Sequence, residues 1–200
     1  MANHLVCAVI LSLGLATTAC GSIMNTPKIE KNPHPTQRYE ITLTVPDLPR
    51  TFDSVEGTIQ YKIGNAKDCS PQDPISAQYR TLDQFQQVTF TRADEHTYKA
   101  TVVMDPYVDA NYFGMGMCHW TVKSVVAEMK TNGNPFDLGL NLQGDDIAAQ
   151  KAIDQYFPRS ILFADKGTPM GFPGIPLSDV PLAHRKDSFY ITMSARKVEL

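Results

Sequence analysis

The chain has 200 residues, of which 42% are hydrophobic, and its formal net charge is −3 at pH 7. This length is enough for one full hydrophobic core, or at a stretch two small ones. A weakly acidic chain without a cluster of Lys or Arg lacks the basic surface of a nucleic-acid-binding protein, and it is a poor candidate for binding anionic lipids by charge alone.

The N-terminus has the pattern of an export signal. Residues 5–16, LVCAVILSLGLA, form an apolar run that is too short to cross a hydrocarbon core of about 30 Å as a helix. The small residues 17–19 follow it, as at a signal-peptide cleavage site. We therefore predict that residues 1–19 are a signal peptide and are removed from the mature protein.

Cys20 directly follows these small residues and resembles the modified cysteine of bacterial lipoproteins. The resemblance implies that Cys20 carries a diacylglyceryl group, and that its acyl chains hold the mature protein on a membrane. Gly21 follows, with no acidic residue to signal retention at the inner membrane, so we expect an outer-membrane address in the periplasm. The usual Leu three residues before the cysteine is replaced by Thr17. Ordinary cleavage near Ala19, with Cys20 left as a free thiol, is the alternative.

The segment after Cys20 is predicted to be a tether. Residues 20–37 are polar and contain three prolines with almost no large apolar side chains. Such a composition favours an extended, solvated chain. We therefore expect a lipidated flexible tether over residues 20–37 and a single folded domain over residues 38–200.

Alternation of apolar and polar residues predicts β-strands along this domain. The clearest strands are 38–45 and 54–63, where nearly every second residue is apolar. Shorter strands are expected at 87–90 and 97–104, separated by a polar turn, and the last strand at 189–198.

A longer strand is predicted at 118–129, with one irregularity. Cys118, Trp120 and Val122 share one face, but from Val125 onward the other phase is apolar. A shift of one residue near Lys123 is what a β-bulge produces.

One helix is expected at 147–157, after the acidic pair Asp145 and Asp146 and before Pro158. The following stretch, 166–182, contains four prolines and three glycines and is predicted to be irregular. The elements together predict a mainly β fold: an antiparallel β-sandwich with Greek-key-like connections and one short helix.

The cysteines predict one disulfide. Cys7 leaves with the signal peptide and Cys20 is the proposed anchor, so Cys69 and Cys118 remain. An oxidising compartment favours a bond between them. A metal site with two cysteine ligands is the alternative, but neither residue belongs to a CxxC pair, and the neighbouring His119 would point to the opposite side of a strand.

No motif for chemistry is found. The chain has no GxSxG or HExxH pattern, so we predict that it is not an enzyme and that it requires no cofactor or metal. Asp105, Asp109 and Asn111 could bind calcium through oxygen atoms, but their spacing differs from that of an EF-hand loop. A turn in which they bond to the backbone explains the same residues.

Two glycine-containing stretches, residues 107–117 and 170–175, are candidate binding surfaces for a protein partner, because aromatic side chains on loops often anchor interfaces. For the first stretch the alternative is burial in the protein's own core, which we expect more for Met115 and Met117. For the second stretch the alternative is a loop that lies flat against its own sheet, which we favour slightly. The predicted contact residues are Tyr107, Tyr112, Phe113, Phe172 and Ile175.

Five segments of the chain resemble a group of small proteobacterial lipoproteins: 39–45 (YEITLTV), 52–57 (FDSVEG), 69–76 (CSPQDPIS), 98–102 (YKATV) and 116–122 (GMCHWTV). Proteins of this group resemble immunity lipoproteins that accompany phospholipase-type toxins of type VI secretion systems. The resemblance implies a protein that binds and inhibits a secreted effector, a lipase, in the periplasm. It carries over no contact residue. A structural or assembly lipoprotein of the envelope or of a secretion apparatus is the main alternative, and an enzyme with an unrecognised site is a third.

Overall fold

The computed structural model describes residues 26–46, 48, 52–131, 133–164, 167 and 170–199. The predicted signal peptide and Cys20 lie outside these residues. Among the helices that are described, none has the length and apolar character needed to cross a membrane.

The described residues form two five-stranded sheets that pack face to face. The strands are β1 Arg38–Thr44, β2 Ser54–Ile63, β3 Asp83–Thr89, β4 Thr91–Arg92, β5 Thr97–Val103, β6 Trp120–Lys130, β7 Phe136–Gln143, β8 Ala152–Pro158, β9 Met170–Pro173 and β10 Ser188–Val198. The α-helices are α1 Ala66–Cys69 and α2 Gly144–Ala148, and 3₁₀ helices span Arg159–Phe163, Leu177–Asp179 and Leu182–Asp187.

The strand order is β4-β5-β1-β10-β8 in the first sheet and β3-β2-β6-β7-β9 in the second. All pairs are antiparallel except β7 and β9, which are parallel. The predicted mainly β sandwich is therefore confirmed, with one parallel pair that the sequence did not indicate.

The central strands supply the core. Ile41 and Leu43 on β1 and Val125 and Met129 on β6 are fully buried between the sheets. The polar neighbours in sequence of Ile41, Leu43 and Met129 point outward, as the period-two alternation predicts. Burial of each such side chain stabilises the fold by about 1.5–3 kcal/mol before the loss of chain entropy is subtracted.

The predicted β-bulge on β6 is confirmed. Gln60 lies opposite Ser124, but the next residue of β2, Tyr61, lies opposite Val122. Lys123 is the extra residue, and it brings Val122 and Val125 to the same side of the sheet.

The strands predicted at 87–90 and 97–104 are present but lie in different sheets. The first is part of β3 in the second sheet, whereas β5 belongs to the first sheet. The chain changes sheets at the buried Phe90, and the short β4 that follows pairs with β5 around the predicted polar turn. One continuous stretch therefore closes this side of the sandwich.

The helix predicted at 147–157 is wrong over most of its length. Helix α2 ends at Ala148, and Gln150 has a left-handed backbone with φ 53°. The rest of the stretch is β8, which pairs with β10 and directs Ile153 and Phe157 inward. A short apolar pattern can fit both the 3.6-residue period of a helix and the two-residue period of a strand. Here pairing with β10 makes the stretch a strand.

The stretch predicted to be irregular at 166–182 contains β9 and closes the other side of the sandwich. After β9, the Gly174 N–H donates to the Gly139 carbonyl of β7 at 2.8 Å. Ile175 then exchanges two main-chain hydrogen bonds with Tyr156 of β8, at 2.8 and 3.2 Å. Residues 170–175, called the closing segment below, therefore pair with both sheets.

Part of the predicted tether is bound to the domain. The Asp105 carboxylate accepts hydrogen bonds from the main-chain N–H of Thr36 at 2.9 Å and of Gln37 at 3.0 Å. Burial alone would raise the pKa of Asp105, but these bonds outweigh it and hold the pKa below its ordinary value. The last residues of the 20–37 segment are thus an ordered extension of the domain, not the solvated chain that their composition predicts.

Candidate functional site

The predicted disulfide is confirmed and lies at one end of the sandwich. Cys69 ends α1, Cys118 precedes β6, and their sulfur atoms are 2.06 Å apart with both residues fully buried. The bond ties the loop after α1 to the loop before β6. We call residues 71–80 and 111–117 the clamped loops.

The first clamped loop is a tight turn held by Asp73. The Asp73 carboxylate accepts from the N–H of Ser76 at 2.7 Å, from the N–H of Ile75 at 2.9 Å and from the Ser76 hydroxyl at 3.0 Å. These hydrogen bonds, led by those from the Ser76 and Ile75 backbone, lower the pKa of Asp73. The charged carboxylate therefore organises the turn.

Main-chain bonds complete this loop. The Asp73 N–H donates to Gln78 at 2.8 Å, and the Arg80 N–H donates to Pro71 at 3.0 Å. Ala77 has φ 56°, a conformation that residues with a side chain adopt only when the surrounding structure holds them there. At the apex, Ile75 is 96% exposed.

Two of the predicted contact residues have partners inside the domain. Tyr107 is buried, packs edge-on against Tyr61 with ring centroids 5.4 Å apart, and accepts a hydrogen bond from Gln86. Tyr112 donates its hydroxyl hydrogen to the Val108 carbonyl and accepts from the Trp120 indole at 3.1 Å. Their side chains fix the second clamped loop from within.

The second clamped loop presents its methionines instead. Met115 and Met117 are 58% and 52% exposed, although the sequence favoured both as core residues. The predicted contact residue Phe113 is half-buried, with the Arg80 guanidinium 5.7 Å from its ring centre. The predicted exposure of the tyrosines and burial of the methionines are reversed. The tyrosine hydroxyls have partners inside the protein, whereas glycines separate the methionines on the surface.

The acidic residues near this end bond to the backbone, as the turn interpretation predicts. Asp109 accepts from the Trp120 N–H at 2.8 Å and contacts the His119 ring at 2.7 Å. Asn111 accepts from the Gly116 N–H at 3.1 Å. Across the described ranges, no three His, Cys, Asp or Glu side chains are grouped so that they could hold a metal ion. His119 is exposed while Cys118 is buried, so the two side chains point to opposite sides as predicted.

A cavity of about 640 Å³ lies beside this turn. Asp105, Asp109 and Asp145 line it together with Trp120 and Tyr107. Two of the three carboxylates hold backbone N–H groups: Asp105 accepts from Thr36 and Gln37, and Asp109 accepts from Trp120.

The other two predicted contact residues lie at the opposite end of the sandwich, about 30 Å away along β6. Phe172 of the closing segment faces inward and packs edge-on against Phe136 with centroids 6.4 Å apart. Ile175 is 37% exposed. Both line an apolar groove of about 430 Å³, together with Val180 and Pro181. The five predicted contact residues therefore do not form one site.

Sequence reasoning missed Ile75, the most exposed large apolar side chain in the described residues. One signal was present: Ile75 is a lone aliphatic residue within a polar, proline-containing stretch, SPQDPIS, next to a disulfide cysteine. The polar composition of this stretch predicts an open loop whose polar groups bond to water. No local sequence pattern indicates that these groups bond to one another.

Comparison with known proteins gives no neighbour for this chain: no family model matches it, and no curated protein or solved structure is significantly similar.

Proposed function

We propose that this chain is an immunity protein that binds and inhibits a secreted antibacterial effector, a type VI lipase, in the periplasm. One observation carries the proposal: the clamped loops present Ile75, Met115 and Met117 to solvent on a backbone fixed by the Cys69–Cys118 disulfide. The proposed partner is a protein, and the proposed role requires no catalysis.

The energetics of association favour such a surface. Large apolar side chains supply most of the affinity at protein interfaces, but binding is weakened when loops must be ordered first. In the clamped loops the ordering is already done by the disulfide and by internal hydrogen bonds. A surface of this kind suits an inhibitor that must bind a toxin tightly on arrival.

The disulfide also bears on the compartment. A buried cystine indicates an oxidising environment outside the cytoplasm. Within that compartment, we propose that Cys20 is lipidated and anchors the protein to the outer membrane, where a toxin entering the periplasm would meet it. Mass spectrometry of the native protein tests the anchor, because a diacylglyceryl group on the Cys20 thiol makes the mature N-terminus heavier than one with a free cysteine.

A structural or assembly lipoprotein is the second candidate, and one observation favours it. The groove at the closing segment and the clamped loops lie at opposite ends of the sandwich, so the domain could join two partners at once. The genes next to the coding sequence separate the candidates: a toxin gene supports immunity, and pilus or secretion components support assembly.

Co-expression with the adjacent effector tests the immunity function. We expect periplasmic effector to stop growth, and co-expression of the full chain to restore it. The variant Met115→Asp with Met117→Asp should restore growth less well, whereas the matched variant Phe85→Asp, on the exposed face of β3, should protect fully. Continued growth arrest with the full chain present and its disulfide formed would rule out the immunity function.

A further inference from the structure

Ile75 has the geometry of an inserting side chain. It is 96% exposed at the apex of its turn, whereas Met115 and Met117 are each about half covered. Its branched side chain has few rotamers, so little conformational entropy is lost when a partner surrounds it.

Several polar groups beside Ile75 are paired within the loop. The Ser76 hydroxyl and the N–H groups of Ile75 and Ser76 all donate to the Asp73 carboxylate. The Gln72 amide donates to the Ala77 carbonyl at 2.8 Å. A partner can therefore remove water from this apex without leaving those groups unpaired, which is the usual penalty for burying a polar loop.

The base of the loop is fixed as well. The Ser70 hydroxyl donates to the Arg80 carbonyl at 2.5 Å, and Cys69 is held by the disulfide. The residues on either side of the apex are bonded to each other and to the domain. The apex therefore projects as one rigid unit.

We propose that Ile75 enters the apolar groove in which the effector lipase binds the acyl chain of its substrate, so that the protein inhibits by competing with lipid. The inference rests on the proposed function. An enzyme that cleaves lipid esters must hold an acyl chain in an apolar groove that opens at its surface, and an aliphatic side chain on a rigid, internally satisfied loop is complementary to that groove.

The test measures inhibition of the purified effector by the full secreted chain at increasing concentrations of a soluble short-chain ester and of phospholipid vesicles. Competition predicts that the apparent inhibition constant rises in proportion to substrate concentration. Ile75→Asp should weaken inhibition by at least about 10- to 100-fold, which corresponds to losing the burial of one aliphatic side chain. Ile75→Leu should retain most of it.

Leu182→Asp is the matched control, because Leu182 is 79% exposed but lies on the 3₁₀ helix near the groove at the closing segment. We expect it to inhibit within about twofold of the natural protein. Vesicle sedimentation without effector should be equal for the natural protein and Ile75→Asp, because both carry the proposed lipid anchor at Cys20. Sedimentation that depends on Ile75 would instead mean that the loop binds lipid, and would overturn the inference.

The outcomes separate the two proposals. If the natural chain inhibits but Ile75→Asp inhibits equally, or if inhibition does not depend on substrate concentration, the acyl-groove inference is wrong and the immunity function stands. If the natural chain does not bind the effector, the proposed function fails and the inference falls with it.

Discussion

The side chain of Gln155 on β8 accepts a hydrogen bond from the main-chain N–H of Asn141 on β7, at 2.9 Å. This contact joins the two sheets. Strand β9 pairs with β7 only as far as Gly139, so the Asn141 N–H faces beyond the end of β9. Gln155, which is buried, takes the place of the missing strand.

Gln155→Leu should therefore destabilise the protein. The substitution leaves the Asn141 N–H without its acceptor, which costs about 1–3 kcal/mol of unfolding free energy. The Gln155 Nε2 atom is buried and has no partner in the described residues, so its removal should offset part of this loss. Urea unfolding of the variant checks the value. An unchanged midpoint would mean that water replaces the glutamine.

Gly174→Ala should destabilise the closing segment. A Cβ at this position would lie 2.7 Å from the Gln155 Cβ and 2.7 Å from the Phe157 ring, and both of these residues are buried. We expect a loss of about 1–3 kcal/mol, as for overpacking in a core. Gly171→Ala is the control, because a Cβ there meets nothing within 4 Å. Equal thermal midpoints for the two variants would contradict this account.

Replacement of Cys69 and Cys118 by alanine should lower the unfolding free energy by about 2–4 kcal/mol, because the bond closes a loop of 49 residues in the unfolded chain. The sandwich core does not depend on the bond, so the variant should remain folded at low temperature. Effector binding should weaken more than stability alone explains, since the clamped loops lose their common attachment. Calorimetric binding and urea unfolding on the same sample distinguish the two effects.

Asp105→Asn should make stability less dependent on acid pH. The folded-state pKa of Asp105 is lower than in the unfolded chain, so its contribution is present above the unfolded pKa and is lost as pH falls through the folded pKa. We expect the variant to be less stable by about 1 kcal/mol or less at pH 7, since the carboxylate is partly exposed. The two proteins should converge in acid. Asp187→Asn, at an exposed site, should behave like the natural protein throughout.

The sequence predicted the sandwich where local pattern and burial agree. Strands β1, β2, β6 and β10 follow from alternation, and the bulge at Lys123 follows from a change of phase within one strand. The disulfide was predictable because only two mature thiols remained once Cys20 was assigned to the anchor.

Other features depended on contacts between distant segments. Strand β8 was mistaken for helix because its apolar residues fit both periods, and its pairing with β10 cannot be read locally. The partners of Tyr107 and the self-satisfied turn around Ile75 are likewise set by tertiary structure. Exposed side chains leave no periodic pattern in a sequence, so the exposure of Ile75, Met115 and Met117 could not be predicted from it.

Trp120 is the only tryptophan in the chain, and it lies at the clamped end with its indole bonded to Tyr112 and its ring 4.8 Å from that of Tyr107. Its fluorescence is therefore an intrinsic optical reporter of this region. An emission change without a change in far-ultraviolet circular dichroism would register local rearrangement of the loops in an otherwise intact domain, with no label attached.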